Sequence, residues 1–265
     1  MKKYRFYLAS MGAAFGLYAL LTALIAVHFF IDTDIAVRDG IARDLPHWLI
    51  SASKAAARLG QGGPLMYLSL VIAAAQSFRL KTVKHFALWA CTSASLIMIV
   101  GSVKMYTRRG APADPQPGAV EFFSKEPCGG PACQSFPSGH VANSVVWYGL
   151  ILILLNHWAS SQARRTILAS AVSVTAVANV VSGHHWLSDS LGGMLAGSGI
   201  LGFLLIADRA NPRIWGWLDK RIFTSRRSGT TRPFREIGGM RPERSSGSPR
   251  GWQSPAQRTA PAGPH

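Results

Sequence analysis

Apolar residues gather in six runs separated by polar links. The first, Phe6 to Ile31, is uncharged and follows Met1-Lys2-Lys3-Tyr4-Arg5. It is longer than the apolar region of a signal peptide and lacks a small-residue cleavage site, so an uncleaved transmembrane helix is expected. Asp32 to Gly63 is mixed in charge with a partly helical period (Ile35, Val37, Ile41, Leu45, Leu49, Ile50) and predicts an interfacial or extramembrane helical pair. Five further runs follow at Pro64–Phe78, Phe86–Val103, Val141–Leu155, Ile167–Val181 and Leu191–Ile206. The last carries Gly193-x-x-x-Gly197, a small-residue face suited to close helix packing. The expected architecture is therefore all-α: a polytopic membrane bundle of about six transmembrane helices.

Lys and Arg placement adds sidedness. The amino terminus, the Arg79–Lys84 link, the Arg164-Arg165 link and the chain after Asp208 fall on one side, and all are basic. By the positive-inside rule that side is cytoplasmic. The opposite side receives the Asp32–Gly63 segment, the Lys104–His140 loop and the Ser182–Asp189 turn. The expectation is an integral protein of the inner cell membrane, both termini cytoplasmic, with its chemistry on the extracytoplasmic (periplasmic) face.

Composition changes the picture at the carboxyl end. The chain has 265 residues and is 48% hydrophobic, an average over two unlike parts. Residues 1–207 form the membrane-embedded domain. Residues 208–265 read as a basic, largely disordered cytoplasmic tail rich in Gly, Ser, Pro and Arg, with an interfacial helix near 212–223 where Trp215 and Trp217 stand beside Lys220 and Arg221. The tail holds twelve basic residues against four acidic, half of the net +16. Nucleic acid is one reason for such basicity. Anionic lipid headgroups are the better one after so many apolar runs, and no nucleic-acid partner is expected. Cys128 and Cys133 bracket Gly129-Gly130-Pro131-Ala132 in a polar loop. No histidine stands at zinc spacing, so a short disulfide is expected if the loop faces an oxidising compartment.

Three polar clusters stand at the outer ends of the runs. Lys104, Arg108 and Arg109 precede Pro112, on the side where positive charge normally avoids the membrane edge. Pro137-Ser138-Gly139-His140 opens an apolar run, with Ser138 as the expected N-cap and free backbone N–H groups that suit an anion. Ser182 to Asp189 precedes the last run, and its His185 and Asp189, at i and i+4, would share a helical face. A carboxylate on one imidazole nitrogen sets the tautomer and leaves the other nitrogen free to attack. Adjacent His184 and His185 cannot both face one helix-borne site, so no metal is expected. Together the clusters provide an oxyanion cradle, a nucleophile with its orienter, and a second histidine as acid, the inventory for metal-independent phosphoryl transfer.

The same residues carry a resemblance. Lys104…Pro112, Pro137-Ser138-Gly139-His140 and His185-x-x-x-Asp189 resemble the three ordered motifs of the type 2 phosphatidic acid phosphatase superfamily, which also includes the vanadium haloperoxidases. The resemblance covers roughly residues 60–207. It implies His185 as nucleophile held by Asp189, His140 as the acid that protonates the leaving group, and Lys104, Ser138 and the Gly139 N–H on the phosphoryl oxygens. Arg109 aligns with a further arginine common in related sequences and is expected to bind phosphate, with Arg108 a weaker substitute. No cofactor or metal is implied. Two departures stand out: Ala111 and Asn179 occupy positions where the family usually has arginine. Losing one preorganised donor typically costs about 10²–10³ in rate.

The expected function is hydrolysis of a lipid phosphate or pyrophosphate of the polyprenyl pyrophosphate, phosphatidic acid or phosphatidylglycerol phosphate type. It would proceed through a phosphohistidine at the membrane surface, with a membrane lipid as substrate and the bilayer as partner. The alternatives are a lipid phosphotransferase sharing the first half-reaction, and a non-catalytic phospholipid-binding membrane protein.

Overall fold

In the computed structural model, residues 2–113, 118–123, 134–209 and 212–221 are described. Helix α1 spans Lys2–Ala26. It stops short of the end of its apolar run because His28 takes a left-handed conformation (φ 69°). The Phe29 N–H bonds to Leu24 O and the His28 N–H to Ile25 O, each at 2.9 Å, closing the carbonyls of the last turn. The expected span Phe6–Ile31 is thus one helix, a turn, and the first residue of α2, Ile31–Asp44. Pro46 opens α3 (His47–Ala57), which runs into a 3-10 turn at Arg58–Gly60.

The remaining helices are α4 (Gly62–Leu80), α5 (Lys84–Thr107), α6 (Gly139–Leu154), α7 (Ser161–Val181), α8 (Leu187–Asp208) and α9 (Pro212–Asp219). Both α5 and α6 pass through a π-helical turn, at Leu96–Gly101 and Ser144–Tyr148, which rotates the residues on either side of it relative to each other. Helix α9 falls within the stretch expected to carry an interfacial helix, and its Asp219 carboxylate accepts a 2.8 Å hydrogen bond from the Val83 N–H at the α4–α5 turn. Cys128 and Cys133 lie outside the described residues.

Among the described residues, three helices are long and apolar enough to cross a membrane: Tyr4–Ala26, Lys84–Thr107 and Leu187–Asp208. Helix α6 is apolar but shorter. Helices α4 and α7 hold two more of the expected runs and are long enough but less apolar. Large apolar side chains stand exposed on the outside of the bundle, among them Leu20, Val71, Ile97, Met98 and Val177, as a bilayer-facing surface requires.

Helix α8 is the central element, and its glycines decide how close its neighbours come. A Cβ on Gly193 would sit 2.5 Å from Ser138 O, and one on Gly197 2.8 Å from Val145 Cβ. On another face, Cβ atoms on Gly199 and Gly202 would meet Phe15 and Met11 of α1 at 2.6 and 3.0 Å. The small-residue stripe therefore lets α8 lie against α6 and α1 together, over a core of Tyr18, Ile25, Phe136, Leu150, Ile200 and Leu204. It also brings the first turn of α8 against the first turn of α6, where the Ser138 N–H donates to Asp189 O at 2.9 Å.

Candidate functional site

The ends of α5 and α7 and the starts of α4, α6 and α8 meet around a polar pocket of about 590 Å³. Lys104, Ser135, Gly139, His140, His184 and His185 line it. Ser138 caps α6 as its residue type predicts, its Oγ accepting from the Val141 N–H at 3.4 Å. That use turns the hydroxyl inward. Ser138 is fully buried and does not line the pocket, whereas Gly139 and His140, the first two residues of α6, do. Lys104 reaches over that turn. Its ammonium donates to the carbonyl oxygens of Gln134 and Ser135, and a Cβ on Gly139 would lie 3.3 Å from Lys104 Cε. A side chain at 139 would come between the lysine and the helix end.

The His140 and His185 rings meet edge to face at the pocket with centroids 5.8 Å apart, and His184 stacks on His140 at 6.2 Å. Burial is the main cause that pushes the His140 imidazole down to about 4, with the positive charges of His185, His184 and Lys104 adding to it. Burial also lowers His185, against the opposing pull of Asp189 and Ser135. His184 is lowered too, first by burial and then by His185 and Lys54. Burial thus favours the neutral form of all three histidines. Among the described residues, no three His, Cys, Asp or Glu side chains are grouped as metal ligands would be.

His185 and Asp189 differ from the expected same-face helical pair. His185 lies in the loop before α8, its N–H bonded to Asn179 O at 3.2 Å. Asp189 is the third residue of α8, and its carboxylate turns back to accept the Trp186 N–H at 3.0 Å. The two side chains are 3.7 Å apart, beyond hydrogen-bonding distance. Ser135 fills the gap: its Oγ donates to Asp189 Oδ2 and lies 3.2 Å from His185 Nδ1. With the Ser135 proton given to the carboxylate, its oxygen is left to accept from Nδ1–H. That fixes the tautomer with a free lone pair on Nε2.

Arg109 is placed away from the phosphate side on which it was expected. It is fully buried and spends its donors on Asp34 Oδ2 (2.6 Å), Asp189 Oδ1 (2.6 Å), Ser188 Oγ (2.7 Å) and Val120 O (2.7 Å). Four of its five N–H groups are used in this way, and it braces the orienting carboxylate. Arg108 is exposed, ends α5 in a left-handed conformation (φ 49°) and does not line the pocket. Asn179 is buried, its amide donating to Thr175 O at 2.7 Å, so it replaces neither the charge nor the reach of an arginine.

Sequence reasoning missed Asp34, Ser135 and Ser188. Asp34 sits in the first turn of α2, buried, with Oδ1 accepting the Ser188 N–H at 3.0 Å and Oδ2 bonded to Arg109 and to the Ser188 hydroxyl. Nothing in a mixed-charge stretch separates Asp34 from Asp32 or Asp39. Ser135 carried a weak signal, two residues ahead of Pro137. An apolar groove adjoins the polar pocket and shares His185, Gly183 and Ala113 with it; Val37, Ile41, Ile50, Val180, Val181 and Leu187 provide its walls.

Fold and site together define a class, an all-helical membrane protein in which a lysine, a helix N-terminus and neighbouring histidines converge on one pocket. Residues 86–213 match the sequence pattern of the PAP2 superfamily. Its fold is similar to that of a transmembrane PAP2 type phosphatidylglycerolphosphate phosphatase from Bacillus subtilis, with a TM-score of 0.58 and 21% identity over 80% of this chain and 97% of the other. No curated protein matches the chain.

Proposed function

We propose that the protein hydrolyses the phosphate group of a membrane lipid without a metal ion, through a phosphohistidine on His185. The observation that carries this reading is the placement of His140 and His185 side by side in one pocket, 5.8 Å between ring centroids, with Lys104 and the α6 N-terminus beside them. A phosphoryl group in the pocket would meet His185 Nε2 at phosphorus and a proton donor, His140, at its leaving oxygen. In the first step Nε2 forms a bond to phosphorus, the bond to the leaving oxygen breaks, and His140 gives that oxygen its proton. In the second, His140 takes a proton from water, the hydroxide displaces His185 from phosphorus, and inorganic phosphate leaves. Lys104 and the backbone N–H groups hold the charge that builds on the phosphoryl oxygens.

The apolar groove that shares His185 with the pocket favours an amphiphile over a soluble phosphate ester. The structural neighbour is itself named as a phosphatidylglycerolphosphate phosphatase, which supports a phospholipid monoester. Phosphatidic acid is also a phospholipid monoester, and polyprenyl pyrophosphate is a lipid with a terminal phosphoryl group on an anhydride. The basic links at the opposite end of the bundle support an extracytoplasmic site and cytoplasmic termini. The charge of the carboxyl tail supports contact with anionic headgroups on the cytoplasmic leaflet.

Phosphate release should be measured for purified protein in detergent with phosphatidylglycerol phosphate, phosphatidic acid and polyprenyl pyrophosphate. Release from at least one, lost in His185→Ala at unchanged protein level, is expected. Release from none would reject the phosphatase reading, and labelled phosphate appearing on a second lipid would reassign the second step to transfer.

A further inference from the structure

Helices α4 to α8 alternate in direction, so the links Arg79–Lys84 and Arg164-Arg165 and the end of α8 share the end of the bundle away from the histidines. A pocket of about 600 Å³ opens there between the start of α1, the end of α6, the start of α7 and the end of α8. Phe6, Leu152 and Leu168 give it an apolar lining, and Arg164, Arg165 and Arg209 line it as well.

The three guanidinium groups meet only neutral partners. Arg164 donates to the carbonyl oxygens of Asn156 and Ala159 at the end of α6, and Arg165 to Gln162 Oε1 at 3.1 Å. Arg209 donates to Leu205 O at 3.1 Å and lies over the Tyr7 ring, 4.6 Å from its centre. Among the described residues none of the three lies within salt-bridge distance of a carboxylate. Asp208 lines the same pocket, but its carboxylate is paired with Lys84 at 2.8 Å. The pocket therefore carries uncompensated positive charge together with an apolar lining, a combination that suits an anion with a hydrocarbon tail better than a free ion. Its depth agrees: from Asp189 to Arg209, α8 rises about 30 Å, the thickness of a bilayer hydrocarbon core. With the histidine pocket at one membrane surface, the arginines lie at the other.

We propose that this pocket binds an anionic phospholipid of the leaflet opposite the histidine pocket, its phosphate among Arg164, Arg165 and Arg209 and its acyl chains over Phe6, Leu152 and Leu168. The bound lipid joins the ends of four helices that otherwise meet there through few polar contacts, and so stabilises the bundle. The proposal does not rest on the catalytic reading.

The test is thermal unfolding of the full chain in neutral detergent with phosphatidylglycerol, phosphatidylcholine or inorganic phosphate added. At a hundredfold excess over Kd, phosphatidylglycerol is expected to raise Tm by on the order of 5 °C, and phosphatidylcholine and inorganic phosphate much less. The shift should persist in His185→Ala. It should be lost in Arg165→Gln/Arg209→Gln and, with every arginine kept, in Leu168→Trp, which fills the pocket. An equal shift with phosphatidylcholine would overturn the anionic site. An equal shift with inorganic phosphate would overturn the lipid, and a full shift in both variants would overturn the location.

Discussion

Ser135 Oγ lies 3.2 Å from His185 Nδ1. That is closer than the Asp189 carboxylate, at 3.7 Å, so the influence of the carboxylate on the imidazole passes through a hydroxyl. Ser135 is a positioning residue in this arrangement, and its removal should act on the imidazole rather than on substrate contacts. Ser135→Ala is expected to lower kcat by about 10- to 100-fold, the worth of one hydrogen bond to a charged network, with little change in KM. Ser135→Thr, which keeps the hydroxyl, should recover part of the loss. A Ser135→Ala enzyme with normal kcat would mean that Asp189 closes directly onto His185 when substrate binds.

The second prediction concerns the buried charges. Arg109 is held between Asp34 and Asp189, all three at or near zero exposure. Arg109→Leu leaves two carboxylates facing each other without a counter-charge, which should destabilise the fold by about 3–5 kcal/mol. Asp34→Asn keeps the shape and leaves Arg109 paired with Asp189, so its cost should be clearly smaller. Thermal unfolding of the two variants in the same detergent ranks them. Equal losses would show that Asp34 contributes through its charge as much as Arg109 does.

Third, the pH dependence has a defined sign. His185 attacks as the neutral imidazole, and burial keeps it neutral to below its ordinary value of about 6.5. His140 must carry a proton, yet burial and nearby positive charge hold it down to about 4. The profile of kcat/KM, which reports the free enzyme, should therefore peak on the acid side of pH 6.5 and fall above it. A bound phosphate brings negative charge beside His140 and raises its affinity for a proton. The alkaline limb of kcat should accordingly lie at higher pH than that of kcat/KM. Superimposable limbs would remove His140 from the role of acid.

Fourth, the apolar groove should read the substrate tail. Ile41 on α2 lines it away from the histidines. Ile41→Trp narrows the groove without touching the polar pocket, so it should raise KM for a long-chain lipid phosphate severalfold and leave a short-chain analogue unaffected. Equal effects on both substrates would place the tail elsewhere.

Much of this site was legible along the chain because its parts are local. A serine before a helix caps it whatever surrounds it, and Pro137-Ser138-Gly139-His140 does so here. Gly193 and Gly197 announced a close helix contact and make one, against Ser138 O and Val145. His140, His185, Gly139 and Lys104 were expected to converge and do line one pocket. What did not show was which polar residue meets which. Arg109 looked like a phosphate ligand because its charge was visible and its partners, Asp34 and Ser188, lie far away in sequence. The i, i+4 spacing of His185 and Asp189 suggested one helical face, but α8 begins only at Leu187.

Taken alone, the sequence determined the properties that depend on period and residue type: the all-helical build, the apolar runs, the capped helix start, and the histidines and lysine at one end of the chain's spans. Tertiary structure decided the partners. The glycine face of α8 brings its first turn against that of α6, and the left-handed turn at His28 sends α2 back over the site. Those two placements bury Asp34 and Arg109 beside Asp189 and bring Ser135 between Asp189 and His185. A buried charge must find a partner at contact distance. Only packing between segments remote in sequence settles which partner that is.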